Sequence, residues 1–310
     1  MIALRAHSRG GPEVLVVERA PIPAPAPGEV LIEVHAAAIT FDELTWDETW
    51  VRDGVDRTPT IPSHEVSGVV AAAGPDVTDI AVGDQVYGLI PFDRDGAAAE
   101  YVAVPADCLA ARPTTCSHVQ SAALPLAGLT AWQALVDHAA VQPGERVLVH
   151  GGAGGVGALT IQLAARLGAD VTTTVRSDVA DLMAELGAAT VIDTRTVQFD
   201  GPGAKYDVVI DTIGGQTLER SFEVLWPGGR LVTLSAPPPP GKADEFDVDA
   251  TFFIVTPDRA QLAQLADLVD AAGMQIAIAG TFPLEDGRAA FESGQRTHRA
   301  PGKTVLIVRD

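Results

Sequence analysis

The chain has 310 residues, of which 47% are hydrophobic and 20% charged, and its formal net charge at pH 7 is -20. This length favours two domains, because one domain usually holds roughly 100 to 200 residues. The composition is that of a globular protein, and no run of about 18 apolar residues predicts a membrane span. So negative a chain repels nucleic acid unless one face is basic. We therefore expect neither nucleic acid nor a membrane as a partner.

Two further features limit the classes of protein. Cys108 and Cys116 are too few for a disulfide framework and lack C-x-x-C spacing, so we expect both to be structural. Residues 1–7 lack a basic segment followed by a long apolar stretch, which favours a first strand over a signal peptide and predicts a cytoplasmic protein. An anionic cofactor would need local positive charge or backbone donors against the negative field of the whole chain.

The first part of the chain is predicted to be rich in β-strands. Apolar or alternating segments between Pro and Gly residues predict strands at 14–18, 29–36, 67–73, 84–89 and 99–104. The proline-rich residues 21–28 form an extended connector, because each proline fixes φ and lacks a donor.

From about residue 119, strands alternate with helices, which is typical of a parallel sheet with crossover helices. Predicted strands lie at 146–150, 170–175, 190–193, 207–211, 230–235 and 252–255. Apolar residues, mostly Leu, spaced by three and four predict one helix that Gly168 ends and another that begins at Thr256-Pro257-Asp258, with the Thr256 hydroxyl as its cap and Pro257 in its first turn. The fold class is therefore α/β, with a doubly wound sheet at 119–272. A last strand at 303–308 is predicted to return residues 273–310 to the first domain, 1–118.

A glycine-rich turn follows the strand at 146–150. Gly152, Gly154 and Gly157 satisfy G-x-G-x-x-G between a strand and an amphipathic helix, which is the setting that holds a dinucleotide pyrophosphate. Gly155 and Val156 complete the predicted cradle of backbone donors at the helix start.

The end of the next strand indicates which coenzyme is bound. NAD-binding units place an acidic residue there, about 20 positions after the glycines. Here Arg176 lies where a 2′-phosphate would be bound, and the Thr174 and Ser177 hydroxyls are possible further donors. This arrangement favours NADPH. Asp178 leaves an alternative open, either as a cap of the following helix or as a displaced acidic residue that binds ribose.

Several segments together resemble the medium-chain dehydrogenase/reductases over nearly the whole chain, particularly their quinone oxidoreductase-like members. The matching segments are residues 25–30, 62–70, 82–88, 126–132 and 151–157. The resemblance implies a GroES-like catalytic domain made by both chain ends, a Rossmann domain between them and a substrate cleft at their junction. It also implies a homodimer or tetramer, of which we predict the homodimer, formed through the strand at 252–255.

The resemblance also assigns residues to the cofactor. It implies that Thr130 lies near the nicotinamide half and that Gly214 borders the adenosine end. Ser235 and Phe253 follow strands whose carboxyl ends face the cofactor crevice. Lys303, in the pair Gly302-Lys303, is similar to the family's C-terminal Gly-Lys, which lies close to the cleft.

The zinc alcohol dehydrogenases of this family bind the catalytic metal through Cys, His-Glu and a further Cys. Here His64-Glu65 is present, but Thr40 lies near the expected first cysteine. A catalytic zinc needs three protein ligands, so we predict no metal and a structural role for His64 and Glu65.

The tentative catalytic residues are Thr40 and Phe41, in the substrate cleft. They replace the asparagine and proline usual in quinone oxidoreductase-like proteins, and a hydroxyl cannot supply an amide's paired donor and acceptor. Phe41, Trp46 and Trp50 either form an aromatic wall or belong to the core. Tyr87 and Tyr101 are candidate proton donors, but both lie in segments that look structural.

The function predicted from these residues is zinc-independent hydride transfer from NADPH to a quinone or an activated, enone-type C=C bond of a small apolar or aromatic carbonyl substrate. Two alternatives remain. One is an alcohol dehydrogenase or carbonyl reductase, and the other is an NADPH-binding redox sensor with little turnover.

Overall fold

The computed structural model describes residues 1–296 and 299–309. Two compact units are present: residues 1–129 with the chain from Thr256 onward form unit 1, and residues 130–255 form unit 2. Among the described residues, no helix is long and apolar enough to cross a membrane.

The strands are β1 (Ile2–Ala6), β2 (Leu15–Arg19), β3 (Glu29–Ile39), β4 (Val51–Arg52), β5 (Val55–Asp56), β6 (Glu65–Ala73), β7 (Gln85–Leu89), β8 (Tyr101–Pro105), β9 (Leu109–Ala111), β10 (Arg146–His150), β11 (Asp170–Val175), β12 (Thr190–Asp193), β13 (Tyr206–Asp211), β14 (Leu225–Thr233), β15 (Asp249–Phe252), β16 (Ile278–Pro283) and β17 (Lys303–Ile307). The helices are α1 (Asp47–Trp50), α2 (His118–Ala122), α3 (Pro125–Trp132), α4 (Gly155–Arg166), α5 (Ala180–Glu185), α6 (Gly215–Ser221), α7 (Lys242–Phe246), α8 (Arg259–Ala272) and α9 (Gly287–Glu292). A π-helical segment, Gln133–His138, follows α3.

The main sheet of unit 1 is built around β3. Its strand order is β16-β17-β3-β6-β7-β9, and β8 also pairs with β3. The buried side chains of β3 alternate along the first part of the strand, with Val30, Ile32 and Val34 in one apolar core. A second core gathers β1, Trp50 and the C-terminal Phe291 and Leu306.

Unit 2 contains one parallel sheet with the order β12-β11-β10-β13-β14-β15. Its order reverses between β10 and β13, and the carboxyl ends of such strands form a crevice at that point. This sheet confirms the predicted doubly wound α/β class. Gly168, with φ +85, follows α4 as predicted.

Several boundaries differ from the predicted ones, and two of them lie at the end of the predicted cofactor domain. β15 covers 249–252 instead of 252–255, because Asp249 to Phe252 pair with Arg230 to Thr233 of β14. The apolar run after it leaves the sheet, and Ile254 is 57% exposed. α8 begins one residue after the cap Asp258, whose side chain accepts the Gln261 N–H over 2.9 Å, so the predicted Thr256 hydroxyl is not the cap.

The predicted boundary at residue 272 would place α8 in the cofactor domain, whereas it belongs to unit 1 here. Polar contacts bind it to the rest of that unit. The Tyr87 hydroxyl donates to Leu262 O over 2.6 Å, and Asp270 accepts hydrogen bonds from Thr114 and Thr115.

Candidate functional site

The glycine-rich turn joins β10 to α4 where the strand order reverses. Gly151 has φ +77, and its carbonyl accepts the Gly154 N–H over 2.9 Å. A Cβ atom at Gly157 would collide with the Gly151 carbonyl oxygen, and one at Gly152 would collide with Thr173 Oγ1. At Gly154 an added Cβ would meet one neighbour only, Gly151 O at 3.3 Å. Gly152 and Gly157 therefore serve packing, whereas Gly154 leaves space that the fold does not need.

α4 presents backbone donors beside that space. The first N–H groups of an α-helix, here those of Gly155, Val156 and Gly157, have no acceptor inside the helix. The helix dipole adds positive potential at the same end, and Gly154 itself is exposed. Donors, potential and open backbone fit a dinucleotide pyrophosphate.

A buried histidine that belongs to no sequence motif supports the turn. His150 ends β10, and its Nδ1 lies 3.0 Å from Thr174 Oγ1 while its Nε2 lies 3.1 Å from Ser221 Oγ. Burial lowers the pKa of His150 to about 3, so the ring is neutral and can donate from one nitrogen and accept at the other. Thr174 in turn accepts the Gly151 N–H over 3.3 Å.

This network gives Thr174 a structural role. Its hydroxyl is buried and bound by His150 and Gly151, and its predicted contact with a 2′-phosphate stays a prediction. Arg176, in contrast, is exposed directly after β11, and it forms no hydrogen bond or ion pair with any other residue that the structure describes. Ser177 lies beside it, half-buried. Asp178 does not cap α5, since that helix has Val179 at its N-cap and no side-chain cap.

The turn after β13 is organised by Asp211, a residue whose role the sequence did not reveal. Its buried carboxylate accepts the Gly214 N–H over 3.0 Å and the Ile213 N–H over 3.1 Å. Ser235 Oγ lies 3.5 Å from the same carboxylate, and a Cβ at Gly214 would collide with Ser235 Oγ. Burial raises the pKa of Asp211, while these donors act in the opposite direction. The predicted Gly214 and Ser235 are thus brought together.

Two other predicted cofactor residues belong to unit 2. Thr130 is buried in α3, 6% exposed. Phe253 follows β15, and its ring centroid lies 4.3 Å from that of His138. Their contacts with a cofactor stay predictions.

In unit 1, the end of β3 gathers the remaining predicted residues. β3 pairs antiparallel with β6 and with β17, so Thr40, after its last residue, lies near Glu65 and Lys303 at the starts of those strands. Lys303 Nζ lies 3.3 Å from Thr40 Oγ1 and forms an ion pair with Glu65. The other Glu65 oxygen accepts the Leu126 N–H over 3.0 Å. Burial raises the pKa of Glu65, whereas Lys303 opposes that rise.

The residues of a zinc site do not fit a zinc ion. His64 Nδ1 lies 2.9 Å from Glu43 Oε2, and Nε2 lies 3.2 Å from Arg94 O, so both ring nitrogens are bound by protein. Glu65 is bound by Lys303. In the part of the chain that the structure describes, no three His, Cys, Asp or Glu side chains are grouped to hold a metal. Glu43, buried and unremarked in the sequence, is the partner that orders His64.

The aromatic residues near Thr40 differ in their surroundings. Trp50 belongs to the core, with its Nε1 donating to Leu44 O over 2.9 Å. Trp46 contacts Phe92 edge-on, with centroids 5.1 Å apart. Phe41 is half-buried, and the Arg299 guanidinium lies over its ring. Tyr87 is buried, and burial raises the pKa of its phenol, so it is a structural residue here.

Comparisons with known proteins agree with this architecture. Residues 26–114 match the alcohol dehydrogenase GroES-like domain and residues 186–306 match the model described as zinc-binding dehydrogenase. A probable zinc-binding oxidoreductase, mitochondrial, of Arthroderma benhamiae is 32% identical over 95% of this chain and 93% of its own. An NADPH-dependent alkenal/one oxidoreductase, chloroplastic, of Arabidopsis thaliana is 33% identical over 96% of this chain and 76% of its own.

Solved structures lead to the same family. The quinone oxidoreductase of Coxiella burnetii has a TM-score of 0.89 and 30% identity, covering 100% of this chain and 99% of its own. A mycobacterial protein complexed with NADPH has a TM-score of 0.87 and 30% identity, covering 99% of this chain and 100% of its own. The GroES-like domain and the family resemblance predicted from the sequence are confirmed.

Proposed function

Because the chain belongs to the medium-chain dehydrogenase/reductase superfamily, in its quinone oxidoreductase-like branch, we propose that it is an NADPH-dependent, zinc-independent reductase of quinones or enones. One observation carries the proposal: the open Gly154 precedes α4 at the end of β10, and the neighbouring strand β11 is followed directly by the exposed Arg176. The first suits a pyrophosphate and the second a 2′-phosphate, and the mycobacterial complex with NADPH supports this choice.

The coenzyme would supply hydride, and the chain must stabilise the substrate oxygen that gains negative charge. We assign that role to Thr40. Lys303 donates a hydrogen bond to Thr40 Oγ1 over 3.3 Å, so the hydroxyl keeps its own proton for a carbonyl oxygen. A hydroxyl whose oxygen accepts a hydrogen bond from an ammonium group is also a stronger hydrogen-bond donor. Glu65 fixes Lys303 in that position.

The donor set around His64 determines which substrates suit the site. His64 and Glu65 are bound by protein groups, so they do not offer the ligands with which zinc would polarise an isolated ketone or alcohol. A quinone or enone is activated by its own conjugation and needs only a hydrogen-bond donor at its oxygen. This favours conjugated substrates over simple alcohols.

The test is NADPH oxidation with three acceptors: menadione, benzylideneacetone and benzaldehyde. We expect turnover of the quinone or the enone and little of the isolated aldehyde. Zinc-dependent reduction of benzaldehyde would favour an alcohol dehydrogenase. Tight NADPH binding without turnover of any acceptor would favour a redox sensor.

The homodimer and the cytoplasmic location stay predictions. Light scattering on the eluting protein measures the first. For the second, the fungal relative is named as mitochondrial, so the location needs fractionation of the cells that make this protein.

A further inference from the structure

The ring of Phe41 is covered by the guanidinium of Arg299. The Arg299 Cζ lies 4.1 Å from the ring centroid, inside the roughly 6 Å over which a cation is attracted to an aromatic face. The ring also packs against Gly294, where an added Cβ would lie 2.5 Å from Phe41 Cγ. Beside Thr40, the surface therefore includes a guanidinium as well as an aromatic ring.

Arg299 differs from the other cation of this region in having no compensating charge. Lys303 is neutralised by Glu65. Among the described residues, Arg299 has no hydrogen bond and no carboxylate partner, and burial alone lowers its pKa. Part of its surface remains exposed. A cation that is partly desolvated by a ring and left without an anion is prepared to bind one.

We propose that Arg299 binds a carboxylate of the substrate, so that the physiological acceptor is an enone that carries an acidic group. This inference rests on the proposed function and names its substrate class. Phe41 holds the guanidinium through its ring face, and the planar fork of the guanidinium matches the two oxygens of a carboxylate.

The charge count favours a single carboxylate over a phosphate group. Because Glu65 cancels Lys303, the guanidinium of Arg299 is the cation left uncompensated around Thr40 and Phe41 in the described part of the chain. One positive charge balances one carboxylate, whereas a phosphate monoester carries nearly two negative charges near neutral pH.

The experiment compares two substrates that share a conjugated ketone and differ in charge. Benzoylacrylic acid carries a carboxylate, and its ethyl ester does not. With NADPH saturating, we expect Arg299→Met to raise KM for the acid by about 10-fold, the lower end for a charge-assisted contact at a partly exposed site. The KM for the ester should change less than about 2-fold. The kcat should change little for either substrate, because a group that binds the substrate away from its reacting atoms acts on KM.

Arg296 supplies the matched control. It is an exposed arginine three positions earlier in the chain, so Arg296→Met makes the same change of charge while leaving the Arg299 guanidinium over the Phe41 ring. It should leave both substrates unchanged. Phe41→Leu removes the ring under the guanidinium, so it should raise the KM for the acid more than the KM for the ester.

Three results would overturn the inference. Equal losses on acid and ester would show a structural effect, and loss of NADPH affinity in Arg299→Met, measured by fluorescence titration, would move the contact to the coenzyme. If Arg299→Met left the KM for the acid unchanged while the protein still turned over the ester efficiently, the inference would be refuted and the proposed function would stand. Failure of the unaltered protein to reduce either compound or menadione would refute both.

Discussion

Replacing Lys303 with methionine would leave the buried Glu65 carboxylate without its cation. Glu65 is 1% exposed, and its second oxygen is already occupied by the Leu126 N–H. Removing one side of a buried ion pair costs about 3–5 kcal/mol. Because the Lys303 side chain is 11% exposed, water can approach the site, and we expect the lower end, about 3 kcal/mol. For a unit of this size, that corresponds to a fall in Tm of roughly 6–12 °C.

The loss of stability in Lys303→Met should increase with pH. Burial raises the pKa of Glu65, and without Lys303, which opposes the rise, the pKa should be higher still. The folded state then binds more protons than the unfolded state between the two pKa values, so stability falls as pH rises through that window. Lys303→Met should therefore be nearest to the unaltered protein close to the unfolded pKa of about 4.3 and furthest from it near neutral pH.

Thermal unfolding followed by circular dichroism across this pH range measures the effect. Adding Glu65→Gln to Lys303→Met removes the charge while keeping an oxygen for the Leu126 N–H, so the double variant should recover most of the Tm. A loss of Tm that is independent of pH, or no recovery in the double variant, would refute an uncompensated carboxylate as the cause.

Three other predictions concern the coenzyme and the metal. Arg176→Ala should weaken NADPH binding about 10- to 100-fold and leave NADH binding nearly unchanged. Titration of both coenzymes measures this. If Arg195→Ala caused the selective loss instead, the 2′-phosphate would be bound at the end of β12. Gly154→Val should abolish NADPH binding in a folded chain, whereas Gly157→Val should also lower the Tm; a folded Gly154→Val that retains affinity would contradict the assignment of the turn. His64→Ala should lose only part of kcat/KM, and chelators should leave the unaltered protein active, whereas stoichiometric zinc with metal-restored activity would show a true zinc ligand.

The parallel sheet was the most predictable part of the fold. The predicted bounds of β10, β11 and β12 match the structure, because parallel strands covered on both faces are continuous apolar runs between turn residues. The same signal gave the wrong bounds for β15, since an apolar run does not state whether it lies in a sheet or beside it. Short strands such as β9 carry too few residues for a period to appear.

The candidate site was predictable where a local motif carries it. The glycine turn and Arg176 follow from spacing within one βαβ unit. The inward hydroxyl of Thr174 could not be predicted, because it depends on His150, a histidine in an apolar strand whose partner Ser221 lies far along the chain. The contact of Arg299 with Phe41 joins the two ends of the chain in the same way. Such pairs leave no pattern in either segment alone.

The net charge of the whole chain explains why unpaired cations matter for binding. A net charge of -20 repels an anionic coenzyme and an acidic substrate, so each must be bound by local positive potential. An arginine such as Arg230, paired with Glu145 at 2.5 Å, adds little field, because its partner cancels it. Arg176 and Arg299 have no such partner among the described residues, and α4 adds the positive end of its dipole. Arg176 and Arg299 therefore keep positive potential at the two places where we propose that an anion binds, the coenzyme 2′-phosphate and the substrate carboxylate.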